Sequence, residues 1–500
     1  MKISLNHSTQ NYPDLLVVPI IKGSNESECL SSISKLTGIS PSILQTDFKS
    51  ALKESHTLYY QEDKTSKRIV LLGLGENPGF QDVLAAFRSL LFKRKSSLRG
   101  KMGISFHLGN APADPSNWIE AAVSGTILGH YKIGLYKTSE TGDWDAGKSR
   151  ISLELFVGKD VANKAKAAAD KGKKIAETQL EIFDLVNAPA NKKTPDTLAK
   201  WALQSGKTHG YEVKVLDKKE IVKLGLHALL AVNQGSENPP TFIIMEYKPK
   251  GKALKKIGLV GKGVTFDTGG LSIKPSTNMH YMKSDMGGAA AVMGTVEVAA
   301  KLKLPFHIMG VVPATENSVD SKSIKPGDVI GSYDGKTIEV IDTDAEGRLI
   351  LADGLAYTVR NFKPDILIDL ATLTGSCIRT LGTYAGGLFS NNNSLAADIL
   401  AVSQQTGERL WQLPMWDDYK KEIKSDVADI KNFSGNPSAG AITAAKFLEA
   451  FIQGHPSWAH MDIAGVAVSD SEFSSQKSAT AFGIRLLIAY LQNMEGKGKP

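Results

Sequence analysis

The stretch IGLVGKGVTFDTGGLSIKPSTNMHYMKSDMGGAA (257–290) decides the fold class. It opens as a strand, because Ile257, Leu259 and Val260 form a short apolar run that stops at Gly261. Beyond it Lys262, Asp267, Lys274 and Asp285 stand among seven glycines, and a helix-like run begins at Ala289. Charged side chains just past the end of a strand in an α/β pattern sit where such sheets bind ligands. Glycine lets the backbone turn tightly enough for those charges to converge. Two converging carboxylates repel each other unless a cation lies between them, which is the first sign of a metal.

A second acidic stretch, IDTDAEGRLI (341–350), follows the strand-like KTIEV (336–340). In an extended chain Asp342, Asp344 and Glu346 point the same way, since side chains repeat every second residue. Arg348 then opens a helical pattern, RLILADGLAYTVRN. Hard divalent cations with oxygen ligands are the natural compensation for so dense a cluster.

The rest of the chain places these two stretches in a larger pattern. Residues 1 to about 160 read as a small α/β unit. DLLVVPII, KRIVLLGLG and ISLELFV (151–157) are its strands, and QDVLAAFRSLLFKRK and NWIEAAVSGTILGHYKIGLY have helical spacing. GLGENPG (73–79) lacks the GxGxxG spacing and reads as a turn. A long Ala- and Lys-rich helix at 161–187 ends at NAPAN (187–191), where proline and asparagine stop it. Domain boundaries are therefore expected as 1–165, a connecting helix 166–191, and 192–495. From 192 onward helices and strands alternate. TPDTLAKWALQSGK has a Thr cap and Pro in its first turn, and KKEIVKLGLHALLAVNQGS reads as one helix. TFIIMEYKP, HIMGVVPATE, PDILIDLATLTG and WAHMDIAGVAV read as strands. This alternation predicts an α/β protein: an N-terminal α/β domain joined by a helix to a C-terminal catalytic domain with a mostly parallel, helix-flanked sheet.

Composition sets outer bounds. A length of 500 residues favours two or more domains. No apolar run approaches the roughly 18 residues a membrane-spanning helix needs, and the first residues show no secretory pattern. Cys29 and Cys377 read as two reduced thiols of a cytoplasmic protein rather than a disulfide. The net charge of +7 is spread along the chain, so KRK (93–95) and KALKK (252–256) read as solvated faces.

Several catalytic routes fall away. There is no HExxH helix, no serine flanked by glycines at −2 and +2, and two distant cysteines cannot form a structural zinc site. His280 reads as a loop residue. Residues 142–149, GDWDAGKS, match the phosphate-loop pattern letter for letter. The chain before them is polar, the chain after them reads as a strand, and Asp143 and Asp145 would repel phosphate. A surface loop is the better reading. What remains is a site of Asp267, Asp285, Asp344 and Glu346, with enough negative charge for two divalent ions about 3.5–4 Å apart. One such aspartate alone would read as a cap or a surface charge. Four at two strand ends, with Lys262, Lys274 and Arg348 among them, read as function.

These residues resemble a known family. VGKGVTFDTGGLSIKPSTNMHYMKSDMGGAAAV and DTDAEGRLILADGLAY resemble the signature stretches of the leucyl aminopeptidases, cytosolic two-metal exopeptidases. The likeness extends to NAPAN, ALLAVNQGSENPP, DLATLTGS, GERLWQLP, KSDVADIKN, SAGAITAAKFL and WAHMDIAG, and covers most of 185–485. It implies a metal-dependent aminopeptidase that hydrolyses N-terminal residues, preferably leucine and other apolar ones, from peptides by a two-metal activated water. Manganese or zinc are the implied ions, held by Lys262, Asp267, Asp285, Asp344 and Glu346. Asp267 and Glu346 would bridge, Lys262 and Asp285 would complete the tighter site, and Asp344 the more exchangeable one. Lys274 would stabilise the oxyanion, and Arg348 would hold a bicarbonate acting as general base. Met282, Thr372, Gly375, Ala464 and Ala467 correspond to the family's side-chain pocket. The resemblance further implies a homohexamer in the cytoplasm with no membrane association. Two departures stand out: Asp342 where the family's acidic motif begins with Asn, and Ala481 where it tends to have Gly. Asp342→Asn is expected to retain activity. Two alternatives accompany this reading. One is a DNA-binding regulator on the same fold, with KRKSSLRGK (93–101) as its best contact. The other is a nucleotide hydrolase acting through 142–149.

Overall fold

The structure is a computed structural model. It describes residues 1–8, 11–23, 25–62, 64–94, 97–98, 100–134, 136–138 and 151–497. The chain divides into two compact units, Met1–Leu180 with Glu472–Ser475, and Glu181–Ser471 with Gln476–Pro500. The connecting helix is a single one, Ala162–Asn187, and the division falls inside it.

In the first unit six strands form one sheet in the order Lys2–Asn6, Ile151–Phe156, Gly100–Ser105, Leu15–Ile20, Thr65–Gly73, Ser55–Glu62. Only the last pair is antiparallel. Leu15–Ile20 is buried throughout, as its unbroken apolar run requires in a covered parallel sheet. The helix expected over 117–136 ends at Leu128, where Gly129 and Gly134 interrupt the apolar spacing. The phosphate-loop look-alike at 142–149 lies outside the described residues.

In the second unit the main sheet runs Leu410–Gln412, Gly386–Ser390, Trp458–Asp462, Ile366–Ala371, Lys256–Gly261, His307–Asn317, Thr241–Tyr247, Glu212–Leu216. A further strand, Gly263–Asp267, pairs with the far end of His307–Asn317. The centre is parallel, with antiparallel pairs at both sides. Helices cover both faces, and the alternation of side chains along Lys256–Gly261 shows it. Val260 meets Gly354 of the helix Glu346–Phe362, whereas Gly261 opens onto Ala289 of the helix Gly287–Leu302.

Two local expectations change. The strand that pauses at Lys262 resumes at Gly263, so Asp267 ends a second strand instead of lying in a loop. The segment read as one helix over 218–236 is two, Lys218–Leu224 and His227–Asn233, because Gly225 takes φ 75 and closes the first. The second has no side-chain cap of its own. The buried Asp353 supplies one, accepting from Leu229 N–H at 3.0 Å and from Tyr333 N–H at 2.8 Å. The helix Pro195–His209 does begin with Thr194 and Thr197 in a capping box and Pro at its first turn.

Candidate metal centre and substrate cleft

The site sits at the carboxyl ends of the parallel strands, where α/β sheets place their ligands. Lys262 follows the strand Lys256–Gly261, Asp267 ends Gly263–Asp267, and Thr372 follows Ile366–Ala371. Asp285 lies two residues before the helix Gly287–Leu302, and Glu346 is the first residue of Glu346–Phe362. Both carboxylates are thus at helix N-termini, where the aligned peptide dipoles favour negative charge.

The acidic turn is not extended. Asp342 Oδ1 accepts the N–H of Asp344 at 2.8 Å, an Asx turn that reverses the chain into the helix. Asp342 is thereby tied to its own backbone. Asp344 and Glu346 converge with Asp267 so that one carboxylate oxygen of each lies within 4.8 Å of the others. Asp344 and Glu346 thus come together through a turn instead of an extended alternation, and Asp342, expected beside them, is not part of the cluster.

Asp267 is oriented by Asn317 Nδ2 at 2.8 Å and by the Gly269 N–H at 2.9 Å. Gly269 and Gly270 both have positive φ, 87 and 62, which lets the loop turn over this carboxylate. Lys262 Nζ reaches Asp285 Oδ2 at 2.8 Å, Glu346 Oε1 at 2.9 Å and the Thr372 carbonyl at 2.9 Å. Lys274 pairs with Asp267 Oδ2 at 2.8 Å and with Asp344 Oδ1. Thr372 Oγ1 donates to Asp285 Oδ1 at 2.8 Å.

Burial pushes Asp285, Asp344 and Glu346 above the usual carboxylate range, and the acids raise one another against the lowering effect of Lys262 and Lys274. Burial works against both ammonium groups, but the surrounding carboxylates outweigh it and hold both lysines above their ordinary value. The protein's own cations thus leave the acids short of positive charge. Asp285 Oδ2 and Glu346 Oε1 approach Lys262 off the direction of a hydrogen bond, and Glu346 Oε2 is buried with no protein partner. Buried carboxylate oxygens in this state fit a cation. Arg348 is buried, donates through Nη1 to the Asn432 carbonyl at 2.7 Å, and has no protein partner at Nε.

A cleft of about 570 Å³ opens above these groups. Met282, Thr372, Gly375 and Ala464 line it. Ala467 does not; it is buried behind Thr372, with its Cβ 3.0 Å from where a Cβ on Gly287 would stand. His280 is exposed, its ring tilted against that of Tyr281 with centroids 4.1 Å apart. Three supporting residues escaped the sequence reading. Besides Asn317, Asn432 accepts from Ile341 N–H at 2.8 Å and donates to the Asp342 carbonyl at 2.6 Å, fixing the acidic turn. Asp462 accepts from Leu373 N–H, Thr374 Oγ1 and Ala464 N–H at 3.2, 2.6 and 3.1 Å, joining two cleft walls. Asn432 and Asp462 lie within KSDVADIKN and WAHMDIAG, so their stretches were visible although their partners were not.

Residues 182–488 match the model of the cytosol aminopeptidase family's catalytic domain, and residues 17–140 match that of its N-terminal domain. The chain belongs to the cytosol aminopeptidase family. A "Probable cytosol aminopeptidase" of Chloroherpeton thalassium is 43% identical, covering 99% of this chain and 100% of that protein. Another, of Chlorobaculum tepidum, is 45% identical over 89% and 90% of the two chains. Among solved structures, the bottromycin maturation enzyme BotP in complex with Mn superposes with a TM-score of 0.82 at 30% identity, covering 96% of this chain and 99% of that one. As a cytosol aminopeptidase this protein is a metal-dependent enzyme that acts on peptides. No helix among the described residues is long and apolar enough to cross a membrane.

Proposed function

We propose that the enzyme is a two-metal leucyl aminopeptidase, and that Lys262, Asp267, Asp285, Asp344 and Glu346 hold the ions. The observation that carries this reading is the convergence of Asp267, Asp344 and Glu346 within 4.8 Å. Glu346 Oε2, buried with no protein partner, supports it. Manganese or zinc suits this donor set of carboxylates and one amine. Divalent ions at such a site supply a water of lowered pKa and an electrophile for the scissile carbonyl.

The chain's own groups do the rest. Asp285 receives the substrate's α-amine, which confines cleavage to the N-terminus. Lys274, a quarter or less exposed and held charged by its acidic neighbours, faces the cleft as the donor to the developing oxyanion. Arg348 keeps its Nε free for a planar anion such as bicarbonate, which would serve as general base. Lys262 acts as a ligand only after giving up its proton, and adjacent dications favour that loss. Met282, Thr372, Gly375 and Ala464 form the pocket for an apolar first side chain, with Ala467 shaping it from behind. The assembly is a homohexamer in the cytoplasm. The deciding experiment is hydrolysis of leucine amide by chelated protein, with Mn²⁺, Zn²⁺, Co²⁺ and Mg²⁺ added back separately. Turnover restored by Mn²⁺ or Zn²⁺ is expected, and undiminished turnover in the chelated protein would refute the metal site.

A further inference from the structure

Two basic side chains on the cleft wall have no part in the chemistry above. Arg379 is exposed near the end of the helix Gly375–Leu381, and Lys477 is half-buried on the strand Ser474–Ala479; both line the cleft. Arg379 follows Gly375 by one helical turn, so it reaches back along the same face. Its Nη1 lies 3.5 Å from where a Cβ on Gly375 would stand, and the missing side chain leaves the guanidinium open to the cleft. The Lys477 ammonium lies 6.0 Å from the centroid of the Tyr281 ring, beside Met282.

Neither cation has a carboxylate partner among the described residues, whereas Lys262 and Lys274 on the floor each pair with two. Four aspartates line the same cleft without pairing with either cation: Asp267, Asp285 and Asp344 face the proposed ions, and Asp342 accepts the Asp344 N–H through Oδ1. Uncompensated cations in a walled cleft concentrate field and attract anions. A guanidinium fork matches a carboxylate in particular. The substrate's α-amine is consumed at the floor. A further residue of extended chain spans only about 3.3–3.6 Å, so a carboxylate one or two residues along still lies inside the cleft.

We propose that Arg379 and Lys477 form a carboxylate-binding subsite, making short peptides with a carboxylate close to the scissile bond the preferred substrates. The subsite rests on the aminopeptidase reading. The carboxylate has three sources: the first side chain, the second side chain, or the free C-terminus of a dipeptide. Matched pairs of neutral and anionic substrates separate them.

The full-length Mn²⁺-loaded enzyme would be assayed on Glu-amide against Gln-amide, Leu-Glu-amide against Leu-Gln-amide, and Leu-Gly against Leu-Gly-amide. Leucine amide is the reference. In at least one pair the anionic member is expected to have about tenfold higher kcat/KM, carried mainly by KM, and the advantage should shrink as salt is raised. Arg379→Gln, Lys477→Gln and the double variant should bring that ratio toward one. The ratio within a pair cancels any general loss of activity from the substitution. Ratios near one in all three pairs, or an anionic preference that survives the double variant, would overturn the subsite. Leucine amide left intact with every metal would instead sink the aminopeptidase reading, and the subsite with it.

Discussion

Lys262 and Lys274 bring the same charge to one acidic floor, yet their surroundings separate them. Lys262 has 3% of its side chain exposed and is boxed in by Asp285, Glu346 and the Thr372 carbonyl, whereas Lys274 keeps 20% exposed toward the cleft. Only the second can meet a substrate oxygen. Lys274→Ala is therefore expected to lower kcat by about 10²–10³, the cost of one oxyanion donor, in steady-state assays on leucine amide. Asp342 illustrates the opposite case. Its observed bond is Oδ1 accepting a backbone N–H, and an asparagine oxygen accepts the same bond. Asp342→Asn should therefore leave kcat/KM indistinguishable from the parent, and a large loss would show a separate role for the charge. Ala481, where glycine is usual in the family's pattern, takes φ 54, a left-handed conformation that explains the usual glycine. The identities of these residues were legible in the chain. Their divergent roles were not, because burial and partners are properties of the packed state.

At the scale of elements, the helix Glu346–Phe362 serves the site with one face and the core with another. Its Gly347 lies against Lys262, and an added Cβ would stand 2.4 Å from Lys262 Cε and 2.6 Å from Nζ. Lys262 can give way only by leaving its acidic partners and the Thr372 carbonyl, which disturbs the floor and not the core. Gly347→Ala should thus fold normally while losing about 10–100-fold in metal affinity, measured by metal retention on dialysis. Nearly two turns further on, Asp353 caps the neighbouring helix His227–Asn233 from across the core. Burial pushes its carboxyl up to about 7, against the lowering pull of the Leu229, Tyr333 and Ala228 N–H groups. Burial likewise raises Glu408 to about 7. The unfolded chain releases these protons near pH 4. Between about pH 4 and 7 the folded state therefore holds more protons than the unfolded one, and the contribution falls as pH rises through that window. Urea midpoints should decline from about pH 5 to pH 7, and less steeply in Asp353→Asn. A slope equal in both proteins would remove Asp353 from the account. Helices and strands were readable from apolar spacing. The break at Gly225 and the cap from Asp353 were not, since the first depends on one residue's φ and the second on a partner more than a hundred positions away.

At the scale of the molecule, the floor of the catalytic unit is costly to stability, since its buried acids raise one another's pKa, and in the proposed reading a bound ion offsets that cost. An ion that binds only the folded protein stabilises it by mass action, about 2.7 kcal/mol when free ion exceeds its Kd by 100-fold. Chelation should accordingly lower the thermal midpoint, and adding back the preferred ion should restore it in a concentration-dependent way. A midpoint indifferent to chelator would argue against a compensating ion. The sequence by itself determined the α/β class, the helix-flanked parallel sheet and the family, because hydrophobic period and short motifs are local and survive in one dimension. It also named the acidic residues from two separate stretches. Only the tertiary structure decided that Asp267, Asp344 and Glu346 share one point while Asp342 is tied to the backbone of its own turn, that Ala467 stands behind the wall, and that Arg379 and Lys477 face the cleft without carboxylate partners among the described residues. Those outcomes depend on strand register and helix placement across distant segments, where a shift of one residue would send each side chain to the opposite face.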